Sequence, residues 1–158
     1  MTDRPHDLLH QLTRAERLSA RRLQSVLDGF GCSLEAWRVL DLLADGEGHH
    51  MTALAEHAFL PAPTLTKLVD QLVDANLVYR RVDPADRRRV LVALTARGAE
   101  HRRLLSRAVR ADRSRWADAL AEDDEERLAG LLSRLSEALG GGAALTWAGA
   151  ERAAGRGR

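Results

Sequence analysis

From residue 7 to residue 28, apolar residues recur at helical spacing: Leu8, Leu12, Ala15, Leu18 and Val26, with Arg14, Arg17, Arg21 and Arg22 around them. That spacing predicts a long amphipathic helix, and Gly29 and Gly31 close it. Ser33 then stands as an N-cap, with Glu35 in the first turn, where the helix dipole favours an acid. Over 34–44, Trp37, Leu40 and Leu43 share one face, and Asp45-Gly46-Glu47-Gly48 reads as a turn. Thr52 is expected to cap a short helix over 53–58. Pro61-Ala62-Pro63 breaks the chain before a helix over 62–75, whose apolar stripe is Leu65, Leu68, Val69 and Leu72. Asn76 sits where a left-handed C-cap is needed. Two helices joined by so tight a turn have the spacing of a helix-turn-helix.

The pattern then shortens. Two β-prone runs, 78–82 and 89–94, flank Asp83-Pro84-Ala85-Asp86 and predict a hairpin with Arg87 and Arg88 at its tip. Thr95 caps a helix over 96–117, although Gly98 weakens its first turn. A last helix spans 122–139, with Asp123, Asp124 and Glu125 near its N-terminus and Leu128, Leu131, Leu132, Leu135 and Leu139 as its apolar positions. Residues 140–158 are rich in Gly, Ala and Arg and read as a loose tail, with Trp147 as its one anchor.

Composition narrows the class. The 158 residues are 45% hydrophobic and 30% charged, enough for one domain with a real core. Aromatics are only 4%, so that core rests on Leu, Val and Ala, which suits helices. No apolar run reaches membrane-span length, and an N-terminus carrying Asp3, Arg4 and His6 lacks a signal-peptide pattern. A cytoplasmic protein with no membrane partner is the expectation, and a lone Cys32, unable to form an internal disulfide, agrees with it. The net charge of +1 argues against coating nucleic acid by bulk charge. Of the 24 basic residues only Lys67 is a lysine, a bias that fits a GC-rich genome and makes arginine content weak evidence by itself. Position says more: Arg80, Arg81, Arg87, Arg88 and Arg89 crowd one segment, and acids crowd 118–126. A basic spot on a near-neutral chain is the footprint of a focused anionic partner.

Thr64, Thr66 and Lys67 fall in the first turns of the second helix of the helix-turn-helix, the part that enters a major groove. Short hydroxyls bond phosphates or bases, and a lysine reaches a base edge. Gln71 is a further contact one turn on, while Asp70 and Asp74 must point away from phosphate. The plain alternative is a solvated helix face. Arg87 and Arg88 suit a narrow minor groove, against the alternative of a flexible charged loop. Arg14, Arg17, Arg21, Arg22 and the arginines of 97–115 read as solvated faces or partners of the acidic stretch, with contact to flanking phosphates as the alternative for some. Cys32 has no resolving cysteine and reads as structural. His49 and His50 are adjacent and diverge on a strand, so no metal site is called, and no cofactor is expected. No grouping of residues suggests catalysis, and the chain is not read as an enzyme.

The order of helices around a hairpin, with Asp83-Pro84-Ala85-Asp86-Arg87-Arg88 followed by Leu94-Thr95-Ala96-Arg97-Gly98, resembles the MarR family over residues 7–139. The resemblance implies a mainly α fold with a small β-hairpin wing: a winged helix-turn-helix plus N- and C-terminal dimerisation helices. The expected division is 1–32 for the first dimerisation helix, 33–95 for the DNA-binding lobe, 96–139 for the C-terminal dimerisation helices and 140–158 for a flexible tail. The family's Asp-x-Arg pattern implies that Asp86 orients Arg88. Pro61 departs from the family, which has a small capping residue there, and Asn76 replaces a common Gly. The family also forms a ligand pocket between its two lobes. Trp37 is placed there, with Leu18, Phe30, Arg38 and Leu104 as neighbours, although Trp37 is equally good core filler. The function implied is a homodimeric repressor that binds double-stranded DNA at an inverted repeat and is relieved by a small-molecule, possibly aromatic, effector. The alternative is a winged-helix protein-interaction module that has lost DNA binding.

Overall fold

The computed structural model describes residues 7–117 and 120–140. Six α-helices and a three-stranded sheet follow in the order α1 Leu8–Asp28, α2 Leu34–Leu42, β1 His49–His50, α3 Met51–Ala58, α4 Ala62–Asp74, β2 Val78–Val82, β3 Val90–Leu94, α5 Ala96–Ala117 and α6 Glu122–Ala138. The chain is mainly helical with a small antiparallel sheet, as the pattern predicted. The tail and Trp147 lie outside the described residues.

Local chemistry accounts for most boundaries. Asp7 caps α1 by accepting the Leu9 N–H, and Ser33 caps α2 by accepting that of Ala36. The chain leaves α1 through Gly31, at φ 63. The helix predicted to run to Ala44 ends earlier, in a single 3-10 turn at Leu43–Asp45. Asn76 takes φ 56 after α4, and the Asn76 and Leu77 N–H groups bond the Val73 and Leu72 carbonyls, so the helix stops where its unpaired carbonyls are satisfied.

Two expectations need correction. Thr52 does not cap α3. The preceding segment is a third strand, β1, whose His49 and His50 pair with Val92 and Leu91 of β3. The chain passes straight from extended His50 into the helix, so the N-cap is His50, without a side-chain bond, and Thr52 is already helical. A two-residue strand carries no alternation to read, so the sequence pattern passes over it. Gly98 also does more than weaken a turn. A Cβ there would lie 1.8 Å from the Leu77 carbonyl oxygen. Thr95, capping α5 through the Gly98 N–H at 2.9 Å, also donates to the Asn76 carbonyl at 2.7 Å. The end of α4 and the start of α5 are thus held in contact.

The core is centred on α2. Trp37, Val39, Leu40 and Leu43 are buried with Leu27 of α1, Leu54 of α3, Leu65, Val69 and Leu72 of α4, Val78 and Val92 of the sheet, and Leu105 of α5. Burying the three α4 residues contributes roughly 1.5–3 kcal/mol each as an upper estimate. It also fixes which face of α4 points outward. Two ion pairs tie α5 across the fold: Arg102 to Asp41 of α2 at 2.7 Å, and Arg22 of α1 to Asp112 through two bonds at 2.8 and 3.0 Å.

Candidate nucleic-acid interface

With Leu65, Val69 and Leu72 turned inward, α4 presents Thr64, Thr66, Lys67 and Gln71 to solvent. The Thr66 hydroxyl donates to the Ala62 carbonyl one turn back, at 3.0 Å, which leaves its oxygen as an acceptor. No side chain caps α4 at Pro61, so its first N–H groups are unclaimed by a cap. Asp70, whose charge would repel phosphate, is paired at 2.6 Å with Arg80 of β2. That pair ties the outer face of α4 to the wing, a link that sequence spacing does not reveal.

The wing is built on β3, which lies between β1 and β2. At its tip the Asp83 and Arg89 backbones bond at 3.0 Å, the Arg89 N–H reaches the Asp86 carbonyl at 2.9 Å, and Asp83 Oδ1 accepts the Ala85 N–H at 2.8 Å. Asp86 was expected to hold the Arg88 guanidinium. Its carboxylate instead accepts the backbone N–H of Arg88 at 3.0 Å. An aspartate two residues upstream is well placed to close an Asx turn, so Asp86 shapes the turn and leaves the guanidinium free to extend. Arg87, Arg88 and Arg89 are exposed and make no ion pair among the described residues. Arg89, which the sequence pattern puts at the start of the second strand, belongs with the tip pair, since β3 begins at Val90. By contrast, Arg80 is paired with Asp70, and Arg81 donates to the Glu47 carbonyl. The base of the wing is held by His50, which faces Asp83 at 3.1 Å and the Val90 carbonyl at 3.2 Å.

The five residues named for a ligand pocket do not share either described cavity. Trp37 is 6% exposed and belongs to the core. Arg38 lies over the Phe59 ring, 5.0 Å from its centroid, while Phe30 and Leu104 are exposed. Only Leu18 lines a described cavity, a crevice of about 280 Å3 between α1 and α5 whose apolar walls are Leu18, Leu23, Val109 and Trp116. Cys32 is buried, and burial pushes its thiol up to about 11, so it carries little thiolate near neutral pH. His57 on α3 is shifted the other way. Burial lowers its pKa, opposed by nearby Asp41 and assisted by Arg38 and His49.

These elements, in this order, match known proteins. The MarR family model matches residues 30–89. A MarR family transcriptional regulator from Silicibacter pomeroyi DSS-3 is 30% identical, with a TM-score of 0.74 over 85% of this chain and 96% of that one. The chain belongs to the MarR family. Another structural relative is CouR from Rhodococcus jostii, bound to p-coumaroyl-CoA, at 25% identity and a TM-score of 0.76 over 83% of this chain and 92% of that one. Another relative, the putative transcriptional regulatory protein for the hcr operon of Thauera aromatica, is 29% identical over 97 residues. That match spans 61% of this chain and 58% of the relative's length. The family model ends at the wing tip, so it covers α2, β1, α3, α4 and β2. The MarR fold reading for α1, α5 and α6 rests on the structural likeness.

Proposed function

We propose that this MarR-family chain is a transcriptional regulator that binds double-stranded DNA as a homodimer, represses at an inverted repeat, and is relieved by a small aromatic ligand. One observation carries the reading. The exposed face of α4, with Thr64, Lys67 and Gln71, stands beside a wing whose three tip arginines have no partner among the described residues. Two acids that would oppose DNA are engaged locally: Asp70 pairs with Arg80, and Asp86 is turned into the hairpin backbone. A helix that fits a major groove next to a cationic hairpin that fits a minor groove is a DNA-reading arrangement. Relatives that are transcriptional regulators support it.

The dimer is supported by apolar side chains that the chain leaves uncovered. On α1 these are Leu8, Leu9 and Leu18, and on α6 Leu128, Leu131 and Leu132. The α1–α5 crevice is the place for the aromatic ligand, with Trp116 as its wall. It lies on the helices that would join the two copies, so a ligand there acts by favouring one spacing of the DNA lobes over another. None of this calls for catalysis.

Lys67→Ala tests the reading. Selection from a random DNA pool should return an inverted repeat with half-sites about one helical turn apart. The variant should lose discrimination at one base position per half-site, worth about 1–3 kcal/mol. Equal loss on selected and random DNA would reduce Lys67 to a phosphate contact. No selected sequence at all would favour a protein-interaction module.

A further inference from the structure

A second cavity, of about 420 Å3, opens inside the helix-turn-helix itself, between α3 and α4. It is separate from the α1–α5 crevice, and of the DNA-facing residues only Thr66 borders it. Met51, Ala55, Leu60 and Leu65 form its apolar wall. Phe59 stands on its rim and is 78% exposed, so core packing does not account for it. Its φ is 57, in the left-handed region where a bulky residue is disfavoured and glycine is at ease. The turn around it is otherwise ordinary: the Phe59 and Leu60 N–H groups bond the Glu56 and Ala55 carbonyls at 3.2 and 3.0 Å. Arg38 of α2 sits over the ring and holds it in place without lining the cavity. Glu56 is the only ionisable side chain among the residues that line the space, and it makes no ion pair among the described residues.

An apolar wall, an oriented aromatic ring and one unpaired carboxylate recognise an organic cation. An anion would meet Glu56. A neutral ligand would gain nothing from Glu56, whose exposed carboxylate keeps its water. We propose that the α3–α4 cavity binds a small lipophilic cation, with Glu56 as its counter-ion and Phe59 as its aromatic wall. The ligand's charge is opposite to that of an aromatic acid. Ala62 and Thr66 of α4 also line the space, so an occupant touches the helix that carries the DNA-facing residues. A regulatory effect on DNA binding rests on the function proposed above; occupancy of the cavity does not.

The test uses the full chain without DNA, with benzyltrimethylammonium as probe and phenylacetate as its anionic counterpart. Calorimetry gives the affinity, and amide chemical shifts give the place. The expected result is saturable binding of the cation, with shifts confined to residues 51–66. Glu56→Gln should weaken it by about tenfold, and Phe59→Gly similarly. Glycine accepts the backbone geometry at position 59, so an otherwise unchanged spectrum will show that this variant keeps its fold. Absence of saturable binding overturns the proposal. So does binding that survives both substitutions, or phenylacetate shifting the same amides equally. DNA affinity is measured separately. A chain that binds DNA but not the cation removes this site alone, and a chain that binds the cation but not DNA removes the DNA reading alone.

Discussion

Arg88 and Asp86 show how little of a side chain's role is contained in its spacing. Both belong to the wing tip, yet the carboxylate acts on backbone and the guanidinium faces solvent. Arg88→Ala should weaken DNA binding strongly and flatten its salt dependence by about one unit of slope. Folding should be nearly unchanged, since an exposed tip residue packs against little. Asp86→Ala loosens the turn that presents Arg88 and should give a milder defect, and the double variant should be no worse than Arg88→Ala. Anisotropy titrations at several salt concentrations, with thermal melts as control, measure all three. Additive losses would show that Asp86 acts on something other than Arg88. Gly98→Ala is a prediction of the opposite kind, with a large effect on folding. The added methyl meets the Leu77 carbonyl at 1.8 Å. A backbone atom cannot swing aside, so the variant should lose at least about 2 kcal/mol and melt roughly 5 °C or more lower. A melt within one degree of the parent would mean that α5 shifts freely against the end of α4.

At the scale of elements, the wing and α3 share a support. β1 leads directly into α3 and pairs with β3, so a disturbance of α3 reaches the wing. His57 lies on α3, half-buried, and burial lowers its pKa from 6.5. The sign follows from linkage. Above about pH 6.5 the ring is neutral in folded and unfolded chains alike, and it carries no penalty. As pH falls below that value the unfolded chain takes the proton first, and stability declines until the folded pKa is passed. Thermal melts between pH 8 and 5 should therefore fall on acidification, and His57→Gln should fall less. Identical slopes would show that the buried ring does not titrate differently in the folded state. The Arg22–Asp112 pair between α1 and α5 responds lower. Its hydrogen bonds hold the Asp112 carboxyl below its ordinary value of 3.8, so the stability it brings is present above that value and is lost as pH falls through the folded pKa.

The whole molecule leaves α6 without a core of its own. Leu128, Leu131, Leu132 and Leu139 are exposed, and only Leu135 among its leucines is half-buried. Such a stripe is the surface that the proposed dimer would cover. Sedimentation at micromolar concentration should give a dimer, and Leu131→Glu with Leu132→Glu should give a monomer whose DNA binding is weaker by more than tenfold, because two linked half-sites become one. A parent that sediments as a monomer would sink the dimer and the two-half-site model together. A charged double variant that remains dimeric would place the interface away from α6.

The sequence by itself determined the elements. Helical spacing, the caps at Ser33 and Thr95, the left-handed Asn76 and the Pro/Asp turn are local signals, and each works through atoms a few residues apart. Exposure of the candidate DNA-facing residues was legible for the same reason, since the apolar stripe of α4 leaves Thr64, Lys67 and Gln71 on the other side. Only the tertiary structure decided what those elements do to one another. β1 exists because β3 offers it an edge, not because two histidines favour a strand. Gly98 is needed because Leu77, far from it in sequence, lies against it. Trp37 is buried because side chains of α1, α3, α4, α5 and the sheet join those of α2 in one core. The α3–α4 cavity is lined by residues of both helices and of the turn between them. Local signals act over one or two turns of chain, whereas cavities, ion pairs and close approaches depend on segments whose distance in sequence says nothing about their distance in space.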